Sequence, residues 1–331
     1  MMKQSLYPLF ALALMILAGA CEKEIAFKGE VTEPRLTLAA RAVVGEPFDV
    51  YVASSIFFLE SENAGAAFKK GLDTARGTVR CYVNGEKDGI EMALDSALSV
   101  AGFCYRAAYV PAPGDHIRLE AEFPGFDKVW SEVDVPRLPR FELLARESRK
   151  MENDWGADSD YYEIDLTLAV TDDGSYDKYY FIQPLASYQR SWPWGGYVGG
   201  EGTGDPDEPE DVFSSLIFTS NDIIFTSSRN VLGSDSGTSF GSSYFSDALI
   251  KGKRHEFKIT LLYVPAPELV SRLGLKLATA EENLYWYDYS YSQLEMSFGG
   301  LFAEAVTLYS NVNGGYGILS AAAPLWLEVE W

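Results

Sequence analysis

The chain has 331 residues, is 47% hydrophobic and 14% aromatic, and carries a formal net charge of −21. A polypeptide this acidic repels phosphate backbones, which bind chiefly to Lys and Arg, so nucleic-acid partners are excluded. The same charge opposes lying flat on anionic lipid, the apolar fraction supports packed cores, and the length suggests two domains.

At the N-terminus Lys3 precedes an apolar run from Leu6 to Ala20. This is shorter than the ~20 residues that cross a hydrocarbon core, so residues 1–20 read as a signal peptide and not a membrane span. Ala18-Gly19-Ala20-Cys21 resembles a bacterial lipobox, although Ala18 stands where leucine is usual and Leu17 lies one earlier. Cleavage there leaves Cys21 as the first residue, its thiol acylated with diacylglycerol, and loss of Lys3 makes the charge −22. An ordinary secretory signal with a soluble product is the alternative. Glu22, Lys23 and Glu24 open a tether over residues 21–33 and resemble the acidic export signal of lipoproteins displayed on the outer face of the outer membrane.

From Pro34 short alternating segments follow: RLTLAARA, PFDVYVAS, TVRCYVNG, GFCYRAAYV, HIRLEAEF and KVWSEVDV, separated by Gly, Pro, Asn and Asp. Such strands predict an N-terminal antiparallel β-sandwich of immunoglobulin or fibronectin III kind over residues 34–136, and the absence of a βαβ rhythm argues against parallel pairing. Cys81 and Cys104 both fall in strands; they are either bridged across strands or two buried free thiols, since spacing does not fix the register. Val135-Pro136-Arg137-Leu138-Pro139 marks a boundary, because prolines remove donors and force an extended path.

Residues 140–331 read as a second, mostly-β domain with one helix. Its strands are FELLARE, YYEIDLTLAV, DKYYFIQPLAS, VFSSLIFTS and HEFKITLLYV, the second and third joined by the Asp172-Asp173-Gly174 turn. The helix is expected over Thr279 to Phe298: Thr279 with Glu282 forms a capping box, and Leu284, Tyr287, Tyr291, Leu294 and Phe298 make a stripe. Two long irregular segments, Tyr188 to Asp211 and Ser227 to Phe245, are of a length that is usually functional or disordered.

Three phrases of this half are distinctive: YFSDALIKGKRHEFKI, the aromatic YWYDYSYSQL, and EAVTLYSNVNGGYGILSAA. Together with VVGEPFDVYVASS, VNGE, PAPGDHIRLEAE and VDVPRLPRFE in the same order, they resemble the Bacteroidetes lipoprotein family called domain of unknown function 4249. Phe245-Ser246-Asp247, Gly252-Lys253, Tyr309-Ser310-Asn311, Gly314-Gly315 and Gly317-Ile318 occupy its recurrent positions; Ala305 and Leu319 depart from its usual proline and phenylalanine. The resemblance implies a cell-envelope lipoprotein, often encoded beside a TonB-dependent outer-membrane transporter, and supplies no catalytic residues.

For a contact site, Tyr188, Trp192, Trp194 and Tyr197 offer large, rigid rings suited to a glycan, peptide or protein, or else fold back over the sandwich. Asp205, Asp207, Glu208, Glu210 and Asp211, like Asp154, Asp158 and Asp160, lack the turn spacing of a calcium loop and read as solvated acids. Gly237-Thr238-Ser239-Phe240-Gly241 matches the nucleophile-elbow pattern, but in Ser/Gly-rich surroundings without a parallel sheet. His116 and His255 are the only histidines, too few for a multi-histidine metal site, and each reads as a strand residue. Asn311, Gly314, Gly315 and Gly317 read as a tight turn with positive φ. The expectation is a surface-exposed outer-membrane lipoprotein without enzymatic activity, cofactor or metal, serving a TonB-dependent transporter. The alternatives are a glycan- or peptide-binding adhesin using Trp192 and Trp194, and a surface hydrolase using Ser239.

Overall fold

In a computed structural model the described residues are 33–55, 68–99, 102–151, 161–176, 178–188, 212–226, 239–297 and 307–331. The first strands, β1 (Leu36–Val43), β2 (Asp49–Ser54), β3 (Thr78–Val83), β4 (Ile90–Glu91), β5 (Ala93–Asp95) and β6 (Phe103–Arg106), are followed by β7 (His116–Glu122) and β8 (Val129–Asp134). Beyond the proline-bearing linker come β9 (Phe141–Met151), β10 (Tyr161–Thr171), β11 (Tyr179–Tyr188), β12 (Val212–Ser215) and β13 (Ile217–Thr219). A short helix α1 (Ile223–Thr226) precedes β14 (Ser239–Phe240), β15 (Ser243–Ser246), β16 (Arg254–Pro265) and β17 (Val270–Ala280); α2 (Glu282–Ser297) and β18 (Tyr316–Glu328) close the chain.

The fold is all-β, and the described residues form three sheets. A nine-stranded sheet runs β12-β11-β17-β18-β1-β2-β6-β5 with β15 also paired to β11; the other two are β14-β13-β16-β10-β9 and β4-β3-β7-β8. Both smaller sheets cover the same face of the large one. Over one half, Leu38, Val50 and Leu319 meet Val79, Ile117 and Leu119. Over the other, Ile182, Leu275 and Leu277 meet Leu166, Phe218 and Phe257.

The expected division at 136/140 into two domains is therefore corrected: Pro34–Trp331 is one compact unit. The reason lies in β18, whose odd-numbered side chains all project to one face. Leu319 and Ala321 enter the first core, while Leu325 and Leu327 pack on the second. The N-terminal sandwich thus takes a central strand from the far end of the chain, and separating the halves would expose both cores.

The expectation against parallel pairing is also corrected at one place, since β1 lies parallel to β18, with Ala39 opposite Ile318 and Arg41 opposite Ser320. A parallel pair requires a long crossover, and here nearly the whole chain provides it. The segment entering β18 is fastened on both sides. Asn313 exchanges backbone hydrogen bonds with Trp130 of β8, at 2.8 and 3.2 Å. Asn311 then brackets the backbone of one residue, its Nδ2 donating to the Leu319 carbonyl at 2.7 Å and its Oδ1 accepting the Leu319 N–H at 2.9 Å. Gly314 and Gly317 have φ of +81° and +113°, and a Cβ on Gly317 would stand 1.8 Å from the Leu38 carbonyl oxygen.

VFSSLIFTS is two strands and not one, because the buried Leu216 lies where the chain passes from the large sheet to the five-stranded one. The helix is present, but Thr279 does not cap it: that residue pairs with Tyr180 and Ala323 in the ladder. Glu281 caps instead, its Oε2 accepting the Asn283 N–H at 3.0 Å and its carbonyl accepting the Leu284 N–H at 3.1 Å.

A groove on the outer face of the large sheet

The face of the large sheet turned away from both cores carries several small side chains: Ala39 on β1, Ser320 and Ala322 on β18, Ala278 and Ala280 on β17, with the larger Ile318 among them. Their size lets α2 lie down on the sheet, with Leu284 and Tyr285 packed against Tyr244, Ala280 and Ala322. The Tyr285 ring stacks on Tyr179 of β11 at 3.9 Å between centroids. From the other side Tyr309 holds the helix, its hydroxyl donating to Asn283 Oδ1 at 2.6 Å and its N–H to Ser290 Oγ at 2.9 Å.

Beside the helix the floor stays open as a groove of about 790 Å³, within the ~300–1,000 Å³ usual for ligand sites. Its aromatic surface includes Tyr51 of β2, 42% exposed, and Tyr291 of α2, 45% exposed. Tyr287 also lines the groove and stacks with Tyr291.

The groove's charges are unevenly partnered. Asp288 of α2 accepts a hydrogen bond from the buried Tyr244 hydroxyl at 2.5 Å. Burial raises the Asp288 carboxyl above the ordinary range, outweighing the opposite pull of Tyr244 and Arg41. Tyr244 is itself pushed well up by burial and by Asp288. Asp49 is neutralised by a two-point contact with Arg106, at 2.6 and 2.7 Å. Arg41 of β1, by contrast, reaches Asp288 only at 3.6 Å, and its side chain is 52% exposed. Lys276 of β17 makes no ion pair among the described residues.

The residues singled out in the sequence lie elsewhere. Cys21, Trp192, Trp194, Tyr197, the acids from Asp205 to Asp211, and Asp154, Asp158 and Asp160 fall outside the described residues; Tyr188 ends β11. Of the two alternatives for Cys81 and Cys104, the structure holds two buried free thiols, on different sheets, and not a cross-strand bridge. Cys81 points into the first core, where burial and then Asp115 push its thiol up to about 12. Cys104 is paired with Tyr51, which lines the groove on the outer face, so a layer of sheet separates the two sulfurs. Ser239 opens β14 opposite Thr219, in an antiparallel pair and not at a strand-to-helix turn. His116 Nδ1 stands 2.7 Å from Asp134, and His255 Nε2 stands 3.0 Å from Asp222.

The model for the family described as domain of unknown function (DUF4249) matches residues 22–325. The chain belongs to that family. No curated protein matches it. The recurrent phrases of the sequence serve both the architecture and the groove, which takes Tyr51, Tyr244, Asp288 and Ile318 from them. Phe245 is a core ring; Gly252, at φ +69°, donates its N–H to Asp172 Oδ1 at 2.8 Å. Asp172 also accepts from Gly174 N–H at 2.7 Å and Tyr180 hydroxyl at 2.8 Å, and lies 3.2 Å from the buried Lys178 ammonium. Burial would raise this carboxyl, but these donors hold it below its ordinary value.

Sequence reasoning missed Arg41, Tyr51, Tyr244, Lys276 and Asp288 as neighbours. The one local signal was the aromatic run that carries Tyr287 and Tyr291.

Proposed function

We propose that this chain is a lipid-anchored outer-membrane protein, displayed on the cell surface through Cys21, that acts without catalysis as a ligand-binding partner of a TonB-dependent transporter. The observation that carries the anchored reading is the lipobox standing immediately before the family domain, whose match begins at residue 22. In this reading the groove on the large sheet handles ligand, and the N-terminal lipid alone holds the membrane. Two measurements test it. Cys21→Ser is expected to block metabolic labelling with palmitate and to release the protein from the outer-membrane fraction. Affinity capture from solubilised outer membrane is expected to recover a TonB-dependent transporter, and repeated capture without one counts against the partnership. A second reading is a stand-alone adhesin that uses the same groove; capture without a transporter but with retained ligand binding selects it.

A further inference from the structure

Two cations of the groove, Arg41 and Lys276, are left available. Of the three carboxylates that line it, Asp288 is held by Tyr244 and Asp49 by Arg106, and the exposed Glu46 makes no ion pair among the described residues; the Arg41 guanidinium has only the loose contact with Asp288. At 3.6 Å that contact exceeds hydrogen-bond length, so the fork of N–H donors on Arg41 remains open to a planar two-oxygen acceptor. Lys276 offers a second cation. Arg41 stands opposite Ser320 and Lys276 opposite Trp326 on the intervening β18, six residues apart, or about 20 Å along the strand. The net charge of −21 does not override this pair, because at physiological salt charges beyond ~8 Å are largely screened.

The backbone decides between kinds of linear anion. An extended peptide gains its affinity by adding a strand at a free sheet edge. Here the floor is the middle of a sheet, where β17, β18 and β1 already hydrogen-bond one another. A helical peptide would need deep apolar pockets, and this floor sets Ala39, Ala278, Ala322 and Ser320 beside Ile318 between two cations. The exposed rings of Tyr51 and Tyr291 instead present flat amphipathic faces on which sugar rings stack.

We propose that the groove binds a linear oligosaccharide bearing uronic-acid carboxylates, with Arg41 as its carboxylate clamp, Lys276 as a second anion contact, and Tyr51 and Tyr291 as stacking platforms. This rests on reading the chain as a ligand-binding protein, but is tested apart from any transporter. The experiment is titration calorimetry on the full-length protein in detergent with three probes: a galacturonic-acid tetramer, its methyl ester, and tetraglutamate. The acid tetramer is expected to bind, to weaken as NaCl is raised, and to bind at least tenfold more tightly than the uncharged ester. Arg41→Gln is expected to cost about tenfold or more, and the exposed Tyr291→Ala to weaken binding to acid and ester alike. Both side chains are half-exposed, and an unchanged circular dichroism spectrum and Tm of each variant confirm that the fold is retained. Equal binding of acid and ester, tetraglutamate binding without the sugar, unaltered affinity in Arg41→Gln, or no heat from the acid tetramer would each overturn the proposal. Co-purification with a transporter alongside any of these results leaves the partnership standing and removes only the ligand.

Discussion

Glu281 is the side chain whose removal should most simply reveal the energetics of the helix that walls the groove. It sits between β17 and α2, where its carboxylate caps the helix. Burial, reinforced by Glu282 and Asp134, raises its pKa from 4.5 to about 7 despite the hydrogen bonds from Asn283 and Leu284. A folded-state value above the unfolded one means that the native protein holds this proton more tightly. The ionised form therefore costs stability: nothing well below pH 4.5, increasingly between pH 4.5 and 7, and fully above pH 7. At ~1.4 kcal/mol per pKa unit the full cost is about 3 kcal/mol. Glu281→Gln keeps a carbonyl acceptor for the Asn283 N–H but cannot ionise; losing the charge at the helix N-terminus gives back at most ~1 kcal/mol. The variant is expected to be about 2–3 kcal/mol more stable than wild type at pH 8, with the difference vanishing near pH 4. Urea unfolding followed by tryptophan fluorescence at several pH values gives the difference directly, with the other carboxylates cancelling between the two proteins. A constant difference across that range, or a less stable variant at pH 8, would refute the reasoning.

Gly317→Ala places a methyl against the Leu38 carbonyl at a φ of +113°; it is expected to cost more than ~3 kcal/mol and to appear as a lowered urea midpoint or loss of soluble protein, whereas a wild-type midpoint would show that the β1–β18 pairing yields easily. Lys178→Met strands the fully buried Asp172 without its cation, for an expected loss of about 3–5 kcal/mol that Asp172→Asn in the same chain partly restores, as measured by denaturation. Cys81 and Cys104 should not react with Ellman's reagent in the native protein and should both react after unfolding without reductant; an intact mass two daltons low on those residues would contradict their separation.

Joining two sandwiches through one shared sheet has a mechanical consequence. Because β18 carries residues of both cores, the floor of the groove is tied to both, while its wall is one helix fastened by Glu281, Tyr309 and the ring stack of Tyr179 on Tyr285. Ligand-dependent rearrangement is accordingly expected in α2 and not in the sheet, and hydrogen exchange on its amides, faster without ligand than with it, would register this.

The amino-acid order by itself settled the class of fold. Alternation in LTLAARAV, TVRCYV, HIRLEAE and YEIDLTLAV, punctuated by Asp172-Asp173-Gly174 and the glycines at 314 and 317, predicts strands and tight turns because period-two patterning and positive φ are local properties. It also identified the family and the helix, whose stripe recurs within a single element. Pairing is not local. That β18 would lie parallel to β1, that one strand would serve two cores, and that Thr279 would be consumed by a ladder and leave capping to Glu281 depended on partners up to 280 residues away, as in the Ser320 hydroxyl bonded to the Ala40 carbonyl. The groove followed the same rule: Arg41, Tyr51, Lys276 and Asp288 share no spacing, and only the stacking of strands from opposite ends of the chain brings them to one face.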